Sequence, residues 1–326
     1  MPTLALPHLA NISSQTAVVQ LEYNTAPLPK PEDDSSPWTR FVLLSDTHSK
    51  QCAVPDGDVL IHTGDLTNRG TLDELTRTME WFYALPHPLK IVIAGNHDLS
   101  VHREWYEPNS KQLHGGTPVP AAAVRELLKG PRAVEANIVY LEDVQYKFTT
   151  RDGGKEWSVY GSPWSPEFYF WAFGYKREDG KALVSKFPKT DILLTHGPPR
   201  NVLDITVNNE RAGCDDLAAR VQELKPRLHV FGHIHEAHGA YLHRWKPDAE
   251  LGVQNAIQLG ELVDEYGPVT NPPDEIAEDQ NEESTVFVNA ANWPAGPIMR
   301  QQAAQGGGPS RMGERRFQPV VVDLRE

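Results

Sequence analysis

The sequence predicts an α/β protein whose sheet strands are largely parallel and buried on both faces. Short apolar runs without helical periodicity recur along the chain and are rich in Val, Ile and Leu, as expected for such strands. Segments with helical spacing lie between several of these runs, an alternation typical of parallel pairing. Five of the runs are followed by small clusters of Asp, Asn and His side chains.

The predicted strands are short, and their continuous apolar sequences are not typical of strands with one face in solvent. A weaker strand is predicted over 17–23, before the main series begins, and a closing strand over 319–324. The apolar runs themselves are 41–44, 59–61, 91–93, 159–160, 192–194, 229–231, 286–288 and 320–322.

Three segments between the strands have the spacing of amphipathic helices. Residues 72–85 place Leu72, Leu75, Met79 and Phe82 at intervals of three or four, which is one face of a helix. Residues 119–128 and 215–224 are further predicted helices.

One large domain is predicted, because the polar clusters are spread over most of the chain and must converge. Residues 1–40 are interpreted as an N-terminal arm and 41–326 as the domain. An acidic insertion with a weak helix at 251–266 interrupts the pattern at 246–285, where partial disorder is expected. The Gly-rich stretch 300–316 is predicted to be a mobile loop.

The net charge of −13 does not argue against an anionic substrate. Residues 246–285 contain eleven acidic side chains and one Lys, whereas the rest of the chain has 30 basic and 33 acidic residues. The acidity is therefore mainly a property of one segment. No basic patch with interleaved aromatic residues is present, which argues against duplex nucleic acid as a partner.

Cysteine content and hydropathy predict a cytoplasmic protein that is not attached to a membrane. There are two cysteines, Cys52 and Cys214, too few for a disulfide framework and typical of a reducing compartment. No apolar run approaches the ~20 residues that span a bilayer, and the first 20 residues lack the features of a signal peptide. The oligomeric state stays open.

The polar clusters at the strand ends predict a metal site. Ligand sites of α/β sheets form at the carboxyl ends of strands, so these clusters should meet at one edge. Asp, Asn and neutral His are suited to divalent metals. Seven of these side chains, all except His97 and Asp98, are counted as ligands, which exceeds one four-coordinate site but suits two metals sharing a carboxylate, as in many phosphate-ester hydrolases. The alternative is a set of buried structural residues. The clusters are Asp46-Thr47-His48, Gly64-Asp65, Gly95-Asn96-His97-Asp98, Thr195-His196-Gly197 and Gly232-His233-Ile234-His235.

The ordered set D-x-H, GD, GNHD, H and GHxH resembles the calcineurin-like metallophosphoesterase superfamily over residues 41–235. Longer strings are similar to the metallophosphoesterase-domain-containing family of small phosphodiesterases: GDLTNRG at 64–70, GSPW at 161–164 and FGHIHE at 231–236. Related Ser/Thr protein phosphatases have GDxxDRG, but here Asn68 replaces the second Asp. That departure argues against a protein-phosphatase role.

The resemblance implies a four-layer α/β/β/α sandwich of two mixed sheets, with a dinuclear metal site at the carboxyl ends of the strands. It also implies two divalent ions, such as Mn²⁺, Fe²⁺ or Zn²⁺, and hydrolysis of a small phosphodiester, with a cyclic nucleotide hypothesised, by a hydroxide between the metals. The implied ligands are Asp46, His48, Asp65 and His235 for the first metal, and Asp65, Asn96, His196 and His233 for the second.

Six further residues are candidates for catalysis or substrate binding. His97 is the candidate proton donor to the leaving group, and Asn68 or Asp98 would fix its tautomer. Alternatively, His97 only supports the site and Asp98 caps a helix or turn. Arg69 is a candidate for a forked phosphate contact or a surface ion pair. His114 and Trp164 are the remaining candidates for substrate contact.

Two segments and the overall function keep alternative interpretations. Residues 164–175 contain seven aromatic side chains, which would stack on a nucleobase or pack in the core or an interface. The acidic segment is a solvated loop or an element with a regulatory or docking role. A phosphomonoesterase resembling nucleotidases, and a non-catalytic interaction protein on the same fold, are the alternatives to a phosphodiesterase.

Overall fold

The computed structural model describes residues 12–23, 28–31, 37–116, 118–246, 251, 283–294, 311–313 and 317–326. The strands are β1 (Ile12–Ser13), β2 (Ala17–Gln20), β3 (Trp38–Leu44), β4 (Val59–Thr63), β5 (Leu89–Ile93), β6 (Ile138–Tyr140), β7 (Val144–Phe148), β8 (Trp157–Ser162), β9 (Ser165–Pro166), β10 (Gly174–Tyr175), β11 (Ile192–Thr195), β12 (Leu228–Phe231), β13 (Gly239–Arg244), β14 (Ser284–Asn289) and β15 (Val320–Arg325). The helices are α1 (Leu72–Ala84), α2 (Arg103–His114), α3 (Ala121–Lys129), α4 (Pro131–Glu135), α5 (Gly180–Val184) and α6 (Asp215–Leu224). None of the helices in the described ranges has the length and apolar character of a membrane-spanning segment.

Two mixed sheets form the centre of the fold. The first has seven strands in the order β1-β2-β15-β3-β4-β5-β6, and the second has six in the order β13-β14-β12-β11-β8-β7. Neighbouring strands from β3 to β6 are parallel, and so are β8, β11, β12 and β14. Antiparallel strands flank each parallel group, namely β15 in the first sheet and β7 and β13 in the second. The predicted mixed sheets are confirmed.

The core has the layers that the resemblance implies. Side chains of both sheets, such as Leu43 and Ile61 from the first and Leu194 and Val230 from the second, share one buried cluster between them. Helices α1 and α3 cover the outer face of the first sheet, where Met79 packs in one cluster with Val92. Helix α6 covers the second sheet through Leu217 and Val221. The four-layer α/β/β/α sandwich is therefore confirmed.

The first sheet extends into the segment predicted as an N-terminal arm. Strand β3 begins at Trp38 rather than at Phe41, and β2 pairs with β15 inside the sheet. The division of the chain at residue 40 stays a prediction. The weak helix at 251–266 lies outside the described residues apart from Leu251, and so do most of the acidic insertion at 246–285 and of the loop at 300–316.

Loops at the carboxyl ends of the two sheets are joined directly. An isolated parallel bridge pairs Ser45, after β3, with Ala291, after β14. The side chain of Asn292 accepts a hydrogen bond from the Ser45 N–H at 3.2 Å. The loops that follow the parallel strands of both sheets therefore meet at one edge of the molecule.

Candidate metal centre

The first group of predicted ligands lies where the loops after β3, β4 and β12 meet. The Asp46 Oδ1 atom is 3.0 Å from His235 Nε2, and His235 Nε2 is 3.4 Å from His48 Nε2. His48 Nε2 lies 3.9 Å from the Asp65 Oδ2 atom. All four side chains predicted for the first metal therefore converge.

The second group is equally close and involves the other Asp65 oxygen. Asp65 Oδ1 is 3.4 Å from His196 Nε2. The side-chain oxygen of Asn96 lies 2.8 Å from His196 Nε2 and 2.7 Å from His233 Nδ1. Asp65 thus faces both groups, one with each carboxylate oxygen, as expected for a bridging ligand.

Two of the histidines, His196 and His48, suit a cation because the lone pair of Nε2, not a proton, faces the centre. His196 donates its Nδ1–H to the Thr63 carbonyl at 2.9 Å, and His48 donates its Nδ1–H to the Thr67 carbonyl at 3.1 Å. In a neutral imidazole the other nitrogen then carries only a lone pair. The His196 lone pair faces the Asn96 oxygen at 2.8 Å, a repulsive contact that a bound cation would relieve.

Electrostatics at the centre also favours a cation. Burial, followed by the negative charges of Asp46 and Asp98, raises the pKa of Asp65 well above its usual value. Burial also lowers the pKa of His48 and of His233 to about 3, with His235 and His196 as the respective second causes. These imidazoles are therefore neutral at physiological pH, the form that binds metals, and a bound cation would stabilise the ionised form of Asp65.

Several predicted ligands adopt strained backbone. Asp46, His48, Asp65 and His233 have φ of 54°, 47°, 56° and 69°, in the left-handed region. This conformation disfavours a non-glycine residue by roughly 1–2 kcal/mol, although Asp and His tolerate it better than most. Such strain persists only where the surrounding structure imposes it, and it concentrates at functional sites.

Membership of a known family follows from sequence comparison. The sequence profile of the calcineurin-like phosphoesterases matches residues 39–237. The chain belongs to this family. It is 39% identical over 255 residues to metallophosphoesterase domain-containing protein 1 of Homo sapiens, covering 75% of this chain and 73% of the human protein. It is 34% identical to the Caenorhabditis elegans UPF0046 protein K07C11.7 over 64% of this chain and 68% of that protein.

Among solved structures, TT1561 of Thermus thermophilus is similar with 10% identity and a TM-score of 0.38, covering 64% of this chain and 85% of that one. Family membership makes the chain a metal-dependent hydrolase of phosphoric esters, with divalent ions as cofactors.

His97 of this phosphoesterase lies beside the ligand groups. Its backbone N–H donates to Asp65 Oδ1 at 2.8 Å, and a ring nitrogen lies within 4.8 Å of ligand atoms of His48 and Asp65. The ring Nδ1–H donates to the backbone carbonyl of Asn68 at 2.7 Å. That carbonyl fixes the tautomer, whereas the side chain of Asn68 or of Asp98 was the expected partner. Burial lowers the pKa of His97.

Asp98 has a task other than orienting the His97 ring. Its carboxylate accepts hydrogen bonds from the N–H groups of Leu66, Thr67 and Gly95 and from the Thr67 hydroxyl, at 2.7–3.2 Å. These bonds join the loop after β4 to the loop after β5, which carry Asp65 and Asn96. Asp98 thus holds two ligand loops together, and its bond from the Gly95 N–H caps the turn at 95–98, as the turn alternative expected.

His114 uses both ring nitrogens within the protein. It accepts a hydrogen bond from the Tyr106 hydroxyl at 2.7 Å and donates one to the Arg69 carbonyl at 2.8 Å. It therefore supports the loop that positions His97, whereas substrate contact was expected. His114 lies at the end of α2, a helix that the sequence did not predict, and the Arg69 side chain is exposed on the supported loop.

The aromatic residue beside the centre is not the expected one. Trp164 donates its indole N–H to Asp143 at 2.8 Å and packs edge-on against His102. Trp171 instead stacks on His97, with ring centroids 4.3 Å apart. Trp293 approaches His48 edge-on at 6.0 Å and was missed, because it lies four residues after the end of β14 and not directly after the apolar run.

Replacing Gly95 by alanine is expected to weaken metal binding by one to two orders of magnitude, roughly the effect of a disturbed supporting contact. A Cβ at this position would overlap the Asp65 carboxylate and backbone and the His196 ring. Metal content after dialysis checks the prediction. Gly116→Ala is the control, since its nearest neighbour would be 3.9 Å away. Full metal content in Gly95→Ala would contradict the packing argument.

Proposed function

We propose that this chain hydrolyses a small phosphodiester, with a cyclic nucleotide as the substrate, and that two divalent ions occupy the centre. The observation that carries the proposal is the position of Asp65 between two ligand groups. In this proposal Mn²⁺, Fe²⁺ or Zn²⁺ ions bind at both groups. The first group is Asp46, His48, Asp65 and His235, and the second is Asp65, Asn96, His196 and His233.

When bound, such ions activate water as a nucleophile and neutralise charge on the phosphoryl oxygens. The residues of the chain then have separate tasks. The ligands hold the centre, while His97 protonates the leaving oxygen from its Nε2 atom, because Nδ1 is already engaged by Asn68. The negative charge of a bound phosphodiester favours the protonated imidazole against the effect of burial. Arg69 is the proposed contact for a phosphate oxygen.

A nucleotide substrate is supported by the aromatic surroundings of the centre. Trp293 lies edge-on to His48, and Tyr169 and Phe170, which precede Trp171 in the loop that reaches His97, are 76% and 50% exposed. Stacking on an exposed aromatic ring contributes about 1–3 kcal/mol per base. A small ester without an aromatic group would not use these surfaces.

We also propose that the protein acts in the cytoplasm. Both cysteines are free, as is usual in a reducing compartment. Burial raises the pKa of Cys52 to about 12, so this thiol stays protonated and unreactive.

The activity test uses chain stripped of metal and reloaded with Mn²⁺, Fe²⁺ or Zn²⁺. Hydrolysis of bis(4-nitrophenyl) phosphate and of 2′,3′- and 3′,5′-cyclic nucleotides, faster than by metal ion alone, is the expected result. Activity on 4-nitrophenyl phosphate only would identify a phosphomonoesterase. A folded chain that binds almost no metal would identify a non-catalytic protein.

The His97→Ala variant tests the proposed proton donor. Loss of a general acid lowers turnover about 10²–10⁴-fold. Metal content should be unchanged, because the seven ligands remain. Metal loss in this variant would instead make His97 a ligand, a role that its position within 4.8 Å of His48 and Asp65 atoms allows.

A further inference from the structure

The aromatic segment 164–175 forms a loop whose two ends are paired with each other. Strands β9 and β10 pair at its base, where the Ser165 N–H donates to the Phe173 carbonyl at 3.1 Å. The Glu167 N–H donates to the Tyr175 carbonyl at 2.8 Å. The residues between the paired ends, including Trp171, are thereby confined beside the metal centre.

The loop is anchored to the ligand segment after β5. The Ala172 N–H donates to the carbonyl of the predicted ligand Asn96 at 3.2 Å. The Phe173 N–H donates to His102 Nδ1 at 2.9 Å, and the two rings stack with centroids 4.5 Å apart. Ala172 and Phe173 are fully buried, and Phe173 has a φ of 50°. The strained residue is held by this anchor.

Trp171 is the loop residue that touches the proposed proton donor. Its ring lies against the His97 imidazole at 4.3 Å with an interplanar angle of 30°. His48 meets the same imidazole edge-on at 4.8 Å and 81°. Together with the hydrogen bond from His97 Nδ1–H to the Asn68 carbonyl, these contacts leave the ring little freedom to rotate.

We infer that Trp171 is a positioning residue for His97, holding the imidazole so that its Nε2 atom stays available to the leaving group. The inference rests on the proposed function. A ring fixed by one hydrogen bond alone can still tilt about that bond, and a displacement of about 1 Å from reacting geometry lowers rates by about 10²-fold. Stacking on the broad face of an indole removes that tilt. Trp171 is thus neither simple core packing nor primarily a substrate platform.

Kinetics of a double-mutant cycle test the inference. Trp171→Ala should lower kcat on bis(4-nitrophenyl) phosphate about 10–100-fold with little change in KM, and Trp171→Phe should restore most of it. In the His97→Ala background Trp171→Ala should have no further effect on kcat, since residues that act as a unit are not additive. Trp81→Ala, which removes a half-buried indole of α1 packed on Phe82, is the control and should keep kcat.

A spectroscopic readout separates this inference from the activity itself. In NMR spectra of wild type, the His97 ring protons should be shifted upfield by the Trp171 ring current, and Trp171→Ala should remove the shift. Equal kcat losses from Trp171→Ala in both backgrounds, or a change confined to KM, would overturn the positioning role in an active enzyme. An inert wild type with the shift intact would refute the proposed function, and the positioning role with it.

Discussion

Replacing Asp65 by asparagine is expected to deplete both metal ions and abolish hydrolysis. Asp65 is 1% exposed and faces His196 with Oδ1 and His48 with Oδ2. The amide keeps the shape of the side chain but removes the charge and leaves one oxygen to serve two ligand groups. Because disturbing even a supporting residue weakens metal binding about 10–100-fold, loss of a shared ligand should do more.

Elemental analysis after dialysis measures this loss, and His97→Ala provides the comparison. The His97 variant removes an imidazole from the same centre but should retain both ions. Equal metal depletion in the two variants would refute the assigned roles of Asp65 and His97. Near-normal metal content in Asp65→Asn would show that the two ligand groups do not share this carboxylate.

The strands could be predicted because strands that are buried on both faces have a continuously apolar local sequence. Strand β4 is buried at all of its positions, and every residue of β11 and β12 is buried as well. Such strands need apolar side chains on both faces, so a continuous run identifies them. Since parallel strands present their carboxyl ends at one edge, the convergence of the polar clusters followed from their order in the chain.

Helix α2 could not be predicted, because its local sequence does not favour a helix. Pro108 lies inside the helix and removes one backbone hydrogen bond, and a proline normally argues against a helix at that position. Tertiary contacts override this preference: Tyr106 is fully buried in the cluster beneath the helix. A loop was therefore the natural expectation for His102 and His114.

The partners of His97 could not be predicted for a different reason. Its tautomer is set by the backbone carbonyl of Asn68, a group that every residue type offers. The stacking of Trp171 on His97 depends on the conformation of the loop between β9 and β10, which the spacing of apolar residues in the sequence does not predict. Side-chain types at strand ends indicate which metal ligands are available, but they do not indicate which main-chain atoms orient them.

Removing the charge of Asp323 is expected to destabilise the protein by about 3–5 kcal/mol, which is the usual cost of removing one partner of a buried ion pair while the other stays charged. Arg40 and Asp323 lie opposite each other on β3 and β15, with side chains 4% and 0% exposed. Two hydrogen bonds of 2.8 Å join the guanidinium to the carboxylate. Arg40 also donates to the carbonyls of Leu28 and Pro29, so the same guanidinium binds a segment that precedes β3.

Asp323→Asn would leave the Arg40 guanidinium buried opposite a neutral amide. The amide accepts fewer hydrogen bonds from the guanidinium than the carboxylate does and does not neutralise its charge. Denaturant unfolding of Asp323→Asn measures the free energy lost. Glu156→Gln is the matched control, because its partner Lys147 and Glu156 itself are both 60% exposed and such pairs contribute about 0–1 kcal/mol. Similar losses in the two variants would show that water reaches the Arg40 site. A larger loss in Asp323→Asn would confirm that the buried ion pair between β3 and β15 stabilises the fold.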